Sequence, residues 1–293
     1  MNTIFLYKSP AGEKEVMALY DAVLARWPVP YETFNIPTRY GNTFMIVSGQ
    51  VSAPPLFLLH GSCSNAVSWV GEVIEYSRYF RVYAIDILGE PGKSSANRPK
   101  WNSPDYAEWQ EDLLNALQIQ KASFIGISEG GWMALKFATY KPERVEMLVL
   151  LTPGGVTSAR TSFILRVMLL SILGRRGAMA INRIVFGNQP IHEDAVKFMN
   201  AIMTHFKARI GALPLFSDEE LRLLTMPILL IAGELDAVIP SNKVAERMTR
   251  LVPNVTVKIL PEMGHVLYNL AAEITSFLTA KGNDKAIKES ISF

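Results

Sequence analysis

The chain has 293 residues, of which 49% are hydrophobic and 19% charged, a composition that supports a large core and argues against intrinsic disorder. Its 29 basic and 27 acidic residues give a formal net charge of +2, which offers no electrostatic reason to expect a nucleic acid partner. A single cysteine, Cys63, excludes a disulfide framework and a cysteine-rich metal site, and no two of the four histidines have zinc-ligand spacing. The N-terminus lacks the pattern of a secretory signal, and no apolar run reaches the ~20 residues of a membrane span. We therefore expect a cytoplasmic protein with no membrane span.

The N-terminal part of the chain predicts one helix followed by two strands. Apolar residues recur at helical spacing over residues 11–26, and Pro28 and Pro30 end this helix. Residues 31–36 and 43–47 then predict two strands joined by a turn.

After these strands, short apolar runs alternate with longer amphipathic runs. Most of the short runs are apolar at nearly every position, which is typical of strands buried on both faces of a parallel sheet. The short runs are residues 55–59, 82–87, 122–127, 145–151, 228–232 and 255–260. The segments between them have helical length, for example residues 104–117 and 129–140. This alternation predicts an α/β fold with right-handed crossovers.

The alternation is interrupted once, by about 75 residues without a clear strand, and a connection this long is uncommon unless it is functional. Helix-like runs cover residues 163–173, 178–186 and 193–210. We expect a helical insertion over residues 154–224, packed over one edge of the sheet. Its Met and Phe side chains favour either an apolar pocket or packing onto the core, and the sequence does not separate these alternatives.

The sharpest chemical signal is Gly126-Ile-Ser128-Glu-Gly130, which lies between a predicted strand and a predicted helix. A nucleophile elbow requires this context, because it presents the serine on a sharp, strained turn at the carboxyl end of the sheet. Side chains at positions 126 and 130 would clash with the neighbouring backbone, which explains the two glycines. The pattern predicts Ser128 as a nucleophile. Cys63 lacks such a turn and is interpreted as a small buried residue.

A serine hydroxyl is a weak nucleophile and needs a general base. His265 lies on a loop after the last predicted strand, where it can reach the carboxyl end of the sheet. His192 and His205 fall inside the insertion, where a surface or packing role is favoured. His265 is therefore the predicted base.

The base in turn needs an acid that orients it. Among the aspartates, only Asp86 and Asp236 directly follow buried strand-like runs. The chain order Ser128, Asp236, His265 is the order expected with this type of elbow, so Asp236 is the predicted acid. Glu234 is a less favoured alternative two residues earlier.

The negative charge that develops on a substrate oxygen needs two fixed N–H donors. One predicted donor is the backbone N–H of Glu129, which follows the nucleophile and opens a helix. The other is the backbone N–H of Ser62, in the loop after an earlier strand. His60 would then be a structural residue beneath this loop.

Two phosphate-binding patterns are incomplete in this chain. Gly92-Lys93-Ser94 resembles the end of a phosphate-binding loop, but position 87 is Ile where that pattern requires Gly. No Gly-x-Gly-x-x-Gly follows the first strand, so a dinucleotide site is not supported. The sequence implies no metal and no organic cofactor.

Taken together, the motifs resemble those of the α/β-hydrolase superfamily over most of the chain, from about residue 31 to residue 278. They are His60-Gly61 with Trp69 following, Asp86-Ile-Leu-Gly89, Gly126-Ile-Ser128-Glu-Gly130, Gly233-Glu-Leu-Asp236 and Gly264-His265. The resemblance implies an eight-stranded, mostly parallel sheet flanked by helices, with a helical cap inserted after the sixth strand. Residues 1–153 and 225–293 would form the core, and residues 154–224 the cap. One departure is Gly89-Glu-Pro-Gly92-Lys-Ser94, one residue longer than the common form of that loop.

Within this superfamily the chain is most similar to capped bacterial carboxylesterases. The resemblance implies hydrolysis of a small apolar ester through an acyl-enzyme, and a serine at position 128 argues against haloalkane dehalogenase and epoxide hydrolase chemistry. C–C bond hydrolysis, lactone opening, amide cleavage and perhydrolysis use the same nucleophile and base, so they remain alternatives. A ligand-sensing protein that retains these residues but turns over slowly is another. The sequence does not indicate an oligomeric state.

Overall fold

An eight-stranded sheet forms the centre of the part of the chain that the computed structural model describes, residues 5–186 and 193–290. Its strands are β1 Tyr31–Thr38, β2 Gly41–Ser48, β3 Pro55–Leu59, β4 Arg81–Ile85, β5 Ala122–Ile127, β6 Val145–Leu151, β7 Ile228–Gly233 and β8 Val255–Leu260. Their spatial order is β1-β2-β4-β3-β5-β6-β7-β8. Strand β2 runs antiparallel to both of its neighbours, and the pairs from β4 to β8 are parallel. The predicted α/β fold with a mostly parallel sheet is confirmed.

The central strands are buried on both faces, as their continuous apolar runs predict. In β3, Phe57 and Leu59 belong to the core on one face, whereas Leu56 and Leu58 belong to the core on the other. Helices cover both faces, since a parallel strand can be reached only by a crossover. The helices are α1 Pro10–Leu24, α2 Val73–Tyr76, α3 Asp105–Ala116, α4 Glu129–Tyr140, α5 Thr161–Ser171, α6 Gly174–Phe186, α7 Glu193–His205, α8 Asp218–Arg222, α9 Ser241–Leu251 and α10 Ala271–Ser290.

Several predicted elements end earlier in the structure than in the sequence pattern, and the contacts explain two of them. The strand predicted over residues 82–87 ends at Ile85, because the Ile87 N–H donates to His60 Nε2 instead of to a neighbouring strand. The helix predicted over residues 193–210 ends at His205. There the chain turns to pair with the N-terminal segment, through a bridge between Tyr7 and Phe206.

Helices α5, α6, α7 and α8 lie between β6 and β7, in the segment where the sequence pattern predicts an insertion. Helix α7 packs against α1, so the N-terminal helix touches both the insertion and the core. Several apolar side chains of α5 and α6 are exposed, and this excludes them from the lining of an enclosed pocket. They include Leu165, Met168, Leu169 and Met179, with 48–68% of their surface exposed. No helix in the described ranges is long and apolar enough to cross a membrane.

Candidate active site

Ser128 occupies the turn between β5 and α4, with φ 51° and ψ −107°. This is strained backbone for a residue with a side chain, and such strain is often found at functional sites. A Cβ on Gly126 would lie 2.4 Å from the carbonyl oxygen of Gly130, and one on Gly130 would lie 2.2 Å from that of Leu59. Only glycine fits at both positions, which is the reason that the sequence pattern anticipated.

The structure brings together the three side chains that the sequence predicts to act in concert. His265 Nε2 lies 3.0 Å from Ser128 Oγ, and His265 Nδ1 lies 2.8 Å from Asp236 Oδ2. A carboxylate can only accept, so Nδ1 carries the proton of the neutral ring and Nε2 is free to accept from the Ser128 hydroxyl. His265 and Asp236 are both buried.

Asp236 is fixed by its own loop as well as by the histidine. Its Oδ1 atom accepts hydrogen bonds from the Val238 N–H at 2.7 Å and the Ile239 N–H at 3.0 Å. Oδ2 is thereby left to face His265. The alternative acid, Glu234, is exposed to solvent, and its side chain forms no hydrogen bond with His265 in the described part of the chain. The geometry therefore favours Asp236 over Glu234 as the partner of the histidine.

The other aspartate that follows a buried strand, Asp86, does not contact His265 and instead binds α1 and two loops. It accepts hydrogen bonds from the Tyr20 hydroxyl at 3.0 Å and from the backbone N–H groups of Ala66 and Lys93, both at 2.7 Å. Burial raises the pKa of Asp86 to about 6, against the opposing effect of these donors. A Cβ on Gly92 would lie 2.4 Å from Asp86 Cγ, so the loop can close around the carboxylate only with glycine there.

A threonine that the sequence analysis overlooked holds the histidine loop in place. Thr152, directly after β6, donates from its hydroxyl to the His265 carbonyl oxygen at 3.0 Å, and from its N–H to Ile231 at 2.9 Å. Two residues later, the Gly154 N–H donates to the Ser128 carbonyl oxygen at 3.0 Å. In the sequence, Thr152 is marked only as a polar residue directly after a buried strand. The search for an acid considers aspartates at such positions and therefore does not single it out.

The loop after β3 lies beside the nucleophile. A Cβ on Gly61 would be 3.7 Å from Ser128 Cβ. His60 is fully buried beneath the loop, where Nδ1–H donates to the Gly61 carbonyl oxygen at 2.8 Å and Nε2 accepts from the Ile87 N–H at 3.1 Å. Burial lowers the pKa of His60 to about 4, so the ring is neutral. These contacts agree with the structural role expected for His60.

Ser62 and Glu129, whose backbone N–H groups are the predicted oxyanion donors, also touch through their side chains. The Ser62 hydroxyl donates to Glu129 Oε2 and links the loop after β3 to the first residue of α4. Neither backbone N–H donates a hydrogen bond to another described residue. Both therefore remain able to donate to a substrate oxygen. The side-chain link itself was not anticipated.

Two buried carboxyl groups lie behind this loop. The Cys63 N–H donates to Glu90 at 2.6 Å, and Glu90 is as deeply buried as Glu129. Burial raises the pKa of both carboxyls, and the repulsion from Glu129 raises that of Glu90 further, while Arg98 and Arg209 oppose the shift. Burial and the two carboxyls also raise the pKa of the Cys63 thiol well above its usual value. A protonated thiol is a poor nucleophile, so Cys63 does not compete with Ser128.

His205 does not join the site. His205 lies at the end of α7, where its Nε2 is 3.1 Å from Glu15 of α1. His192 is outside the described residues. The part of the chain that the structure describes contains no cluster of three or more His, Cys, Asp or Glu residues arranged to hold a metal ion.

Comparison with known proteins identifies relatives over most of the chain. A model of the alpha/beta hydrolase family matches residues 56–275. Carboxylesterase YbfK of Bacillus subtilis is 32% identical over 256 residues, which are 85% of this chain and 86% of that protein. The fold agrees as well, since the crystal structure of the same enzyme, also called CesB, superposes with a TM-score of 0.83 at 30% identity. That superposition covers 92% of this chain and 98% of the other. The crystal structure of a naproxen esterase from the same organism gives a TM-score of 0.80 at 28% identity and covers 96% and 99%.

Proposed function

This chain belongs to the alpha/beta hydrolase family, and its relatives at 30–32% identity over most of the chain are carboxylesterases, so it is a carboxylic ester hydrolase; we propose that Ser128, His265 and Asp236 carry the reaction. The observation that carries the proposal is the continuous hydrogen-bonded chain from Ser128 Oγ through the His265 ring to Asp236. Nucleophile, base and orienting acid stand in the geometry that acyl transfer requires.

In the first half of the proposed reaction, Ser128 Oγ attacks the ester carbonyl while His265 Nε2 takes its proton. Asp236 keeps the opposite ring nitrogen protonated and stabilises the imidazolium that forms. His265 then gives the proton to the departing alcohol, which leaves an acyl group on Ser128. In the second half, His265 activates a water molecule that releases the acid and restores the serine.

The oxyanion of each tetrahedral intermediate needs donors that are fixed before the reaction begins. We assign this role to the backbone N–H groups of Ser62 and Glu129. The contact between the Ser62 hydroxyl and the Glu129 carboxyl supports the assignment, because it ties the two donor residues together beside Ser128.

We also propose that residues 154–224 act as a cap domain on a core formed by residues 1–153 and 225–293. The contacts of this segment support the role. Arg160, at the start of α5, donates from Nε to the Asp236 carbonyl oxygen at 2.9 Å. Trp132 of α4 donates to the Pro214 carbonyl oxygen at 3.0 Å. The insertion is thus attached next to the acid and above the nucleophile helix.

A panel of chromogenic esters with short and long acyl chains tests the proposed reaction. Naproxen methyl ester belongs in the panel, because one structural relative is a naproxen esterase. Rapid turnover that disappears in Ser128→Ala supports the proposal. Tight binding of esters with negligible turnover would favour a sensor instead, and turnover confined to diketones, lactones or amides would favour one of the other reactions of the same residues.

For the location of the enzyme we propose the cytoplasm. The chain has one cysteine, so it cannot form an internal disulfide bond, and proteins without disulfides are typical of reducing compartments. Cell fractionation with antibody detection tests this location. Recovery in a secreted or periplasmic fraction would contradict it.

A further inference from the structure

Helix α5 is apolar on two opposite faces. Phe163, Val167 and Leu170 are partly buried and face the molecule. Ile164 and Leu165, at the adjacent positions, point the other way and are 45% and 55% exposed. A helix that is apolar all round is normally covered on every side or lies against lipid. On the outer side of α5, Leu165 and Leu169 keep 55% and 68% of their surface exposed.

The exposed apolar surface continues across the turn into α6. We define the outer cap surface as the six apolar side chains on the outside of these two helices. They are Ile164, Leu165, Leu169, Ile172, Leu173 and Met179. Leu169 is 68% and Ile172 82% exposed, so the surface is most accessible at the end of α5. Large contiguous apolar surfaces of this kind mark interaction sites.

The charge of the same segment has one sign. Between Glu146 and Glu193 the sequence contains five arginines and no acidic residue. Arg166, Arg176 and Arg183 have exposed side chains and form no ion pair with a described residue. The outer cap surface is therefore bordered by uncompensated positive charge, in a chain whose overall net charge is only +2.

We propose that the outer cap surface binds to an anionic lipid surface. A surface helix can lie in such an interface, with its exposed apolar side chains in the boundary between headgroups and acyl chains and the neighbouring arginines at the level of the phosphates. A second copy of the chain fits less well. A two-fold dimer through this surface would place the same patch on both sides and bring the arginines of the two copies together.

The outer cap surface lies on helices whose two ends are near the loops that carry Asp236 and His265. Arg160 connects the start of α5 to the loop of Asp236. At the other end of the helix pair, the Val185 carbonyl oxygen would lie 3.9 Å from a Cβ on Gly264, the residue before His265. Docking would hold the candidate active site close to esters dissolved in the lipid. This consequence rests on the proposed function, whereas the docking itself does not.

The test is sedimentation of the full chain with extruded vesicles, in the absence of substrate. One set consists of phosphatidylcholine and the other of equal parts of phosphatidylcholine and phosphatidylglycerol. We expect binding to the anionic vesicles to exceed binding to the neutral ones by about tenfold or more, and to weaken in high salt. Equal or absent binding to the two sets would overturn the proposal.

Substitutions locate the binding to the outer cap surface. Leu169→Asp with Ile172→Asp should abolish binding to anionic vesicles. Val51→Asp with Ile210→Asp, a matched change at two exposed apolar positions elsewhere, should leave it intact. A thermal melt confirms that both variants fold. If the two variants bind equally, the proposal is wrong.

A second pair of variants tests the role of the arginines without adding negative charge to the outer cap surface. Arg176→Gln with Arg183→Gln should lower the binding to anionic vesicles by about tenfold, whereas Lys14→Gln with Lys243→Gln on other helices should have little effect. Light scattering on the wild-type chain without lipid shows whether a second copy of the chain occupies the outer cap surface instead. A dimer that Leu169→Asp with Ile172→Asp dissociates would assign the surface to a second copy and overturn the proposal. Hydrolysis of a soluble ester by the same samples reports separately on the proposed function.

Discussion

The carboxyl edge of the sheet and helices α5 and α6 of the insertion differ in how firmly their side chains are fixed by neighbouring residues. At the edge, Asp236 accepts two backbone N–H groups as well as His265, and the backbone of His265 is held by Thr152. In α5 and α6, large apolar side chains are exposed, and Arg166, Arg176 and Arg183 have no ion-pair partner among the described residues. Residues that must hold a reacting group need a fixed backbone, whereas a surface that meets a variable partner does not. Substitutions should therefore separate into those that stop the chemistry and those that leave it nearly intact.

The largest effect should come from the nucleophile. Ser128→Ala should lower kcat on a simple ester by roughly 10⁴–10⁶, because the acyl-enzyme can no longer form. The fold should remain, since the change removes only one hydroxyl group. Steady-state kinetics and a thermal melt measure the two properties. If more than about a tenth of the activity survives, Ser128 is not the nucleophile.

The second-largest effect should come from the acid, since Asp236→Asn should lower kcat by about 10⁴. The amide can donate to His265 Nδ1 and favours the wrong tautomer, although it fills the same space. Glu234→Gln is the matched control, because Glu234 lies in the same loop but is exposed. The reverse ranking of the two variants would move the acid to Glu234.

A smaller effect on rate is expected where the loop after β3 meets α4. Ser62→Ala keeps the backbone N–H but removes the link to Glu129, and should lower kcat by about tenfold with little change in KM. Ser68→Ala, at an exposed serine just after this loop, is the control. A Ser62→Ala enzyme with wild-type kcat would show that the link does not position the oxyanion donors.

Within the insertion, the main effect should be on stability. Phe206 is 4% exposed and packs edge-on against Tyr7, with ring centroids 5.9 Å apart. Phe206→Ala should lower the free energy of unfolding by about 3–5 kcal/mol through the cavity that it leaves, and change kcat by less than about tenfold. Urea unfolding and ester kinetics test both expectations. A loss of activity as large as that of Asp236→Asn would place Phe206 at the site and remove the contrast between the two regions.

The smallest effect should come from Glu90, the buried carboxyl group behind the loop after β3. The pKa of Glu90 is raised in the folded protein, so the folded state retains a proton that the unfolded state loses near pH 4.3, the ordinary value for Glu. The stability should therefore fall as pH rises above this value, by up to about 1.4 kcal/mol per pH unit for this group until its folded pKa is reached. Glu90→Gln should flatten this dependence and be more stable than wild type at neutral pH. Urea midpoints measured across the pH range test the sign, and a steeper dependence in the variant would contradict it.

The sequence was most informative where a local pattern determines the structure. The glycines around Ser128 are required by contacts within a few residues and with one neighbouring strand, so the turn could be predicted from the pattern. The strands were predicted because burial on both faces leaves continuous apolar runs. His265 and Asp236 were predicted from their places after strands, and in the structure His265 contacts both Ser128 and Asp236.

The features that escaped prediction depend on residues far apart in the chain. The contact of Ser62 with Glu129 and the hold of Thr152 on His265 join separate loops, and no spacing in the sequence reveals them. The exposed apolar side of helix α5 was not predicted, for another reason. Its apolar residues cover both faces, so periodicity could not distinguish the inward from the outward side. Met168, like the other Met and Phe side chains of the insertion, was expected to line a pocket or pack on the core, but it is 61% exposed.

We propose Ser128 as the activated nucleophile of this ester hydrolase. Reaction with a fluorophosphonate, followed by mass mapping of the labelled peptide, tests it most directly. We predict one label per chain on Ser128, no label in Ser128→Ala, and much slower labelling in His265→Ala, because the serine is reactive only beside its base. A label on another residue, or equal rates with and without His265, would contradict the claim.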